Sequence, residues 1–74
     1  MDVKVGNVYK HFKGMKVKVI ALAKDSETLE DMVVYEHLDT KEVWVRPYKM
    51  FISKVDKEKY PNISQEYRFE LQRD

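Results

Sequence analysis

Trp44 and Arg46 are the pair of residues in this 74-residue chain whose types and spacing best suit a ligand site. They stand two positions apart in the extended run VWVRP, so both side chains point to the same side of a strand. An arginine binds the oxygens of a carboxylate or phosphate bidentately and also stacks on aromatic rings. Tyr35, on the preceding strand, faces the pair in one strand register. In the structural alternative, Trp44 covers the core and Arg46 pairs with Glu27 or Glu36.

Ser26, His11 and Glu27 supply the hydroxyl, imidazole and carboxylate that a nucleophilic enzyme uses. Nothing in their spacing requires such an arrangement, and no sharp glycine turn surrounds Ser26 as in a nucleophile elbow. We therefore favour a structural role, in which Ser26 and Thr28 bond the backbone amides of a loop. A small hydrolase or transferase that uses His11 and Glu27 is kept as an alternative, and no residue is assigned as catalytic.

The two histidines, His11 and His37, do not indicate a metal site. Neither has a partner at ligand spacing, and the chain has no cysteine. We expect His11 either to have a structural role in the first turn or to line a pocket. We expect no metal and no cofactor.

Charge is segregated along the chain, although the net charge is only +1. Residues 1–24 carry six lysines and one acid, residues 25–42 carry seven acids and one lysine, and residues 43–74 carry seven basic and five acidic residues. We favour a sheet in which neighbouring strands pair opposite charges. The alternative is a basic face for nucleic acid, contributed by the lysines at four positions: Lys10, Lys13, Lys16 and Lys18.

Alternation of apolar and polar residues indicates about five short strands, at residues 8–12, 15–24, 33–38, 43–47 and 67–71. Lys16 and Lys18 alternate with Val17 and Val19, which is the period of a strand with one wet face. Pro47 ends the fourth strand because proline has no N–H to donate to a ladder.

A short helical turn is expected near residues 47–52, with Met50 and Phe51 turned inward. The apolar run at residues 20–23 is expected to be buried on both sides. These elements predict a single all-β domain over residues 1–74, most simply a small SH3-like barrel. An α+β fold with a helix over residues 53–66 is the alternative.

Four segments, in this order and spacing, resemble a bacterial family catalogued as domain of unknown function 1653. They are residues 9–14 (YKHFKG), 21–28 (ALAKDSET), 33–35 (VVY) and 44–51 (WVRPYKMF). Where the family often has a histidine, this chain has Asp25, so no imidazole role carries over to that position. The resemblance implies a compact SH3-like β-barrel, and it brings no activity, substrate or cofactor.

The hypothesis that follows is a non-catalytic binding module with an aromatic and arginine surface. The proposed surface consists of Tyr9, His11, Tyr35, Trp44 and Arg46, with the loop of Ser26, Glu27 and Thr28 at its rim. A protein or peptide partner is favoured, a small anionic ligand is included, and nucleic acid is the alternative. A piece of a larger assembly, with an apolar patch at residues 50–52, is a third class.

The chain has no apolar signal segment and no run of about 18 apolar residues. We therefore expect a cytoplasmic protein with no membrane partner, and a monomer is favoured over an oligomer.

Overall fold

The computed structural model describes residues 2–73, and within them it places five strands and one short helix. The elements are β1 (Val8–His11), β2 (Lys16–Lys24), β3 (Asp31–His37), β4 (Val43–Pro47), α1 (Tyr48–Phe51) and β5 (Phe69–Leu71). All neighbouring strands are antiparallel, in the order β4-β3-β2-β1-β5. The predicted all-β class, the five short strands and the helical turn near residues 47–52 are confirmed. No helix in the described part of the chain is long and apolar enough to cross a membrane.

One face of the sheet carries the core, because the side chains of each strand alternate between two faces. Val17 and Val19 of β2 are fully buried, whereas the lysines on either side of them are exposed. Tyr9 of β1 and Phe69 of β5 join them, and α1 adds Phe51. The rings of Phe51 and Phe69 stack with centroids 4.1 Å apart, and Tyr9 meets Phe51 edge to face at 5.3 Å. Burying a phenylalanine stabilises a fold by about 1.5–3 kcal/mol, so these rings are major contributors in a domain of this size.

The far half of β2 departs from the sequence expectation. The β2–β3 register shifts between Val19 and Ala21, so Ile20 is an extra residue in the strand, as in a β-bulge. The apolar run at residues 20–23 was expected to be buried on both sides, and this is wrong, because Ile20 and Leu22 are largely exposed. The physical reason is that α1 packs mainly against β3 and β4 and leaves this end of β2 without a covering layer.

The segment between α1 and β5 has no helix, which agrees with the all-β prediction and not with the α+β alternative. An antiparallel bridge between Lys54 and Tyr67 joins the two ends of this segment, and Val55 beside it is buried. In α1 itself, Phe51 turns inward as predicted. The same expectation for Met50 is wrong, because Met50 is 46% exposed on the outer side of the helix.

Candidate functional site

A concave pocket of about 220 Å³ opens where β1, β3, β4 and β5 meet at one end of the sheet. We call it the cationic pocket. It is lined by His11, Phe12, Lys13, Met15, Tyr35, His37, Trp44, Arg46, Tyr60, Arg68 and Phe69. The turn from β1 to β2 brings the first four of these residues to the opening. That turn depends on Gly14, whose φ of +103° is a conformation that side-chain-bearing residues rarely adopt.

Strand register places Tyr35, Trp44 and Arg46 on one wall of the cationic pocket. Tyr35 lies directly opposite Trp44, so the register that the sequence left open is the one in which the tyrosine faces the pair, and Arg46 follows two positions later. The Arg46 Nε–H donates a hydrogen bond of 3.4 Å to the Tyr35 hydroxyl oxygen. The Arg46 guanidinium carbon also lies 5.6 Å from the centre of the Phe69 ring, a cation–π distance. Arg46 is therefore held by neutral groups and not by the carboxylate of Glu27 or Glu36.

Arg68, the second arginine that lines the cationic pocket, is anchored in the same way. Its Nε–H donates to the Ser53 hydroxyl oxygen at 3.1 Å. Among residues 2–73, the ion pairs are Lys24 with Asp31 and Lys54 with Glu66, so neither Arg46 nor Arg68 has an acidic partner there. Because each arginine uses its Nε for a hydroxyl group, the terminal nitrogens of both are left to bind a ligand.

Charge in the cationic pocket has one sign. Lys13, Arg46 and Arg68 line it, and no acidic side chain from the described part of the chain does so. The Lys13 ammonium lies 6.0 Å from the centre of the Phe12 ring and 5.6 Å from that of Tyr60. Cations that converge on a concave surface repel each other, and an anion in their midst removes that repulsion.

His11 is a neutral hydrogen-bonding group in this surrounding. It is 8% exposed, and its Nδ1 accepts a hydrogen bond of 3.1 Å from the Lys13 backbone N–H. Burial, followed by the positive charges of Arg46, Arg68 and Lys13, lowers the pKa of His11 from 6.5 to about 4. Because Nδ1 is an acceptor, the neutral ring carries its proton on Nε2, and that N–H is the donor left for other partners.

Aromatic rings make up the remaining walls. Trp44 stands at the rim with 50% of its surface exposed, and the His37 ring lies beside it at 5.3 Å between centroids. Phe12 and Tyr60, which also line the pocket, pack with centroids 5.0 Å apart. Trp44 lies on the core face of β4, opposite Tyr35, and half of its surface stays exposed. The arrangement offers a planar ligand a ring to stack on and cations beside it.

The family model that matches the chain is described as a protein of unknown function (DUF1653), and it matches residues 7–71. The chain belongs to this family. The matched span contains all the residues that line the cationic pocket. No curated protein and no solved structure matches the chain.

The surface expected from the sequence is brought together only in part in this member of the family. His11, Tyr35, Trp44 and Arg46 meet in the cationic pocket. Tyr9 does not, because it is 1% exposed and belongs to the core.

Ser26, Glu27 and Thr28 lie at the other end of β2 from the cationic pocket. The Met15 carbonyl, just before β2, accepts a hydrogen bond from the His11 N–H, whereas the loop begins just after Lys24. Eight residue steps of about 3.3 Å put the two ends of β2 roughly 26 Å apart along the strand. The loop therefore forms no rim to the pocket, and His11 and Glu27 do not converge as a shared catalytic pair would require.

The loop after β2 holds itself together through backbone amides. Asp25 Oδ1 accepts from the Glu27 and Thr28 N–H groups, at 2.8 and 3.1 Å, and these hydrogen bonds lower the pKa of the Asp25 carboxyl. Thr28 Oγ1 accepts from the Glu30 N–H at 3.2 Å. Thr28 thus bonds a backbone amide of the loop, as expected. The other side chain that bonds loop amides is that of Asp25, and not that of Ser26.

The lysines of the nucleic-acid alternative do not share one face. Lys13 lines the cationic pocket, whereas Lys10, Lys16 and Lys18 lie on the opposite face of the sheet from the core. There Lys18 lies across from Glu36 in the β2–β3 pair, and Lys10 lies across from Glu70 in the β1–β5 pair. These two pairs show the pairing of opposite charges that the segregated sequence favours, whereas Lys10 also lies across from Lys16 in the β1–β2 pair.

Four lining residues were not singled out from the sequence, and His37 was weighed only as a metal ligand; the four are Phe12, Met15, Tyr60 and Arg68. For Phe12 and Met15 a signal exists, because both flank the glycine turn that carries His11. Arg68 stands beside the apolar positions of the last strand, but its place in the same pocket as Arg46 follows from the pairing of β5 with β1. Tyr60 comes from an irregular segment, and no pattern in the sequence indicates its position.

Proposed function

We propose that this protein is a non-catalytic binding module that holds a small anionic ligand in the cationic pocket. The observation that carries the proposal is the convergence of Lys13, Arg46 and Arg68 on a pocket that no carboxylate from residues 2–73 enters. Hydrogen bonds between charged partners contribute about 1.5–3 kcal/mol each, so two arginines suffice for specific capture of an oxyanion.

The way in which the arginines are fixed supports ligand binding. Tyr35 and Ser53 hold the Nε groups of Arg46 and Arg68, so the two guanidinium planes are oriented before a ligand arrives. A side chain that is already ordered loses less entropy on binding, and this raises affinity. The neutral His11 adds a donor without a charge that would need its own counterion.

The same geometry argues against acid–base catalysis at this place. A general acid or base works best when its pKa lies near the operating pH, and the pKa of His11 lies near 4. Glu27, the partner in the enzyme hypothesis, is at the far end of β2. A binding role requires neither a proton transfer nor a nucleophile.

A peptide or protein partner remains a prediction, and such a partner would have to present a carboxylate or phosphate to these cations. Nucleic acid bound along the lysines also remains a prediction, but three of the four lysines lie on the other face of the sheet, which weakens the support for it. A cytoplasmic location belongs to the proposal because small phosphorylated and carboxylated metabolites are abundant there.

The test is an amide chemical-shift titration with inorganic phosphate and with citrate, each at constant ionic strength. We expect shifts centred on His11, Trp44 and Arg46, and we expect Arg46→Gln or Arg68→Gln to weaken binding by about tenfold or more. Lys18→Gln removes the same charge from the opposite face and is the matched control, with affinity unchanged. Shifts that instead spread over the outer lysines, or that sodium chloride alone reproduces, would refute the proposal.

A further inference from the structure

We propose that the ligand of the cationic pocket is a nucleoside monophosphate, either free or as the 5′-phosphorylated end of a strand. The inference rests on the proposed function and names the ligand class for that same site. Its basis is the juxtaposition of an oxyanion cradle made by Arg46 and Arg68 with the exposed indole of Trp44.

The charge of the cradle favours a phosphate monoester over a carboxylate. Lys13, Arg46 and Arg68 together face the ligand, and a carboxylate with one negative charge leaves most of their mutual repulsion in place. A phosphate monoester carries about −1.5 to −2 charges at neutral pH and presents three acceptor oxygens. Two guanidinium groups whose terminal nitrogens bond to nothing among residues 2–73, together with the His11 Nε2–H, match that number of acceptors.

The spacing on β4 favours a ring carried close to the phosphate. Trp44 and Arg46 point to the same face, and two steps along a strand separate their Cα atoms by about 6.6 Å. In a nucleotide, one ribose separates the phosphate from the base by about the same distance. The Trp44 indole is half exposed and supported from the side by His37, so a ring remains available on which a base can stack.

The size and surroundings of the pocket limit what it encloses to one nucleotide unit. A pocket of about 220 Å³ encloses at most one base and ribose, and anything attached to them lies outside it. A strand whose 5′ end occupied the pocket would meet few further cations, because Lys10, Lys16 and Lys18 lie on the other face of the sheet. Recognition would then be confined to the terminal nucleotide, with the Lys13 ammonium at the rings of Phe12 and Tyr60 as part of the lining.

The experiment compares four probes with the full chain: AMP, ribose 5-phosphate, adenosine and inorganic phosphate. Trp44 is the chain's one tryptophan, so its fluorescence reports stacking, and amide shifts report the phosphate. We expect AMP to bind about tenfold more tightly than ribose 5-phosphate. We expect adenosine to bind more weakly than either. We expect Trp44→Ala to remove the advantage of AMP over ribose 5-phosphate. Val45→Ala, at the neighbouring exposed position on the opposite face, should not change it.

The outcomes separate this inference from the proposed function. Equal affinity for AMP and ribose 5-phosphate overturns the nucleotide assignment and leaves the anion site standing. Failure of every phosphate to bind overturns both, and adenosine binding as tightly as AMP overturns the role of the phosphate. Titration with a pentanucleotide that carries a 5′-phosphate, and with the same pentanucleotide without it, tells whether the ligand is a free nucleotide or the end of a strand. A preference for the phosphorylated end supports recognition of strand termini, and equal weak binding of both assigns the site to the free nucleotide.

Discussion

Lowering the pH should destabilise this protein through one residue, His11. In the unfolded chain its pKa is near 6.5, and in the fold burial and the neighbouring cations lower it to about 4. The unfolded state therefore binds a proton at a pH at which the folded state does not. Stability is unaffected above about pH 6.5, and it is lost progressively as the pH falls towards 4.

The size of the effect follows from the two pKa values. Each unit of difference corresponds to about 1.4 kcal/mol, so the full loss from His11 is about 3 kcal/mol, and about 2 kcal/mol of it is lost by pH 5. A chain of this length has an unfolding free energy of roughly 4–11 kcal/mol. His11 alone therefore removes a substantial part of the stability in mildly acidic solution.

The assay is urea unfolding at a series of pH values from 7.5 to 4.5, for the natural chain and for His11→Asn. The asparagine Oδ1 stands near the position of the imidazole Nδ1 and retains an acceptor for the Lys13 N–H. All other titrating groups are shared, so the difference between the two pH profiles isolates His11. We expect the natural chain to lose about 2 kcal/mol more than the variant between pH 7 and pH 5.

Parallel pH profiles for the two chains would refute the reasoning. A direct measurement is available if His11→Asn does not fold: the imidazole of the natural chain can be titrated by NMR. A midpoint near 4 agrees with the environment described above, whereas a midpoint near 6.5 contradicts it. Saturating phosphate should raise the midpoint, because a bound anion offsets the charges of Arg46, Arg68 and Lys13.

Two further predictions concern the core and the turn. Phe51→Ala removes a fully buried ring that stacks on Phe69, and it should cost about 3–5 kcal/mol, whereas Phe51→Leu should cost less; thermal unfolding followed by circular dichroism measures both. A loss below 1 kcal/mol would show that the α1 ring is not central to the core. Gly14→Ala should cost about 1–2 kcal/mol from backbone strain alone, because no atom lies within 4 Å of the added Cβ. An unchanged midpoint in urea would contradict that account.

Local alternation was sufficient to predict most of the sheet. The repeated lysine and valine positions of β2 indicate which side chains face the core, and the two apolar runs around a short polar turn indicate the hairpin of β3 and β4. These features depend on neighbours in sequence or on one short turn, whereas the register of Tyr35 against Trp44 was left open. The pair of Trp44 and Arg46 could therefore be recognised as one side of a site. Closure of the sheet as an SH3-like barrel stays a prediction.

The other side of the site could not be predicted, because it depends on contacts between distant segments. Arg68 reaches the cationic pocket only through the pairing of β5 with β1, and Tyr60 only through the irregular return of the chain. The loop of Ser26 and Glu27 was wrongly placed at the rim, although the predicted strand bounds already put His11 before β2 and this loop after it. The bulge at Ile20 is invisible to a simple alternation rule.

The short pairing between β1 and β5 has a consequence for the dynamics of the site. It spans three residue pairs, from Tyr9 with Leu71 to His11 with Phe69, at an edge of the sheet. Edge elements with few ladder bonds open at lower free energy than the sheet as a whole. Detachment of β5 would carry Arg68 away and empty half of the cradle, while β2, β3 and β4 stay paired. An anion held by both arginines would then connect the two outermost strands, β4 and β5, and its binding would slow amide hydrogen exchange at residues 69–71 more than elsewhere.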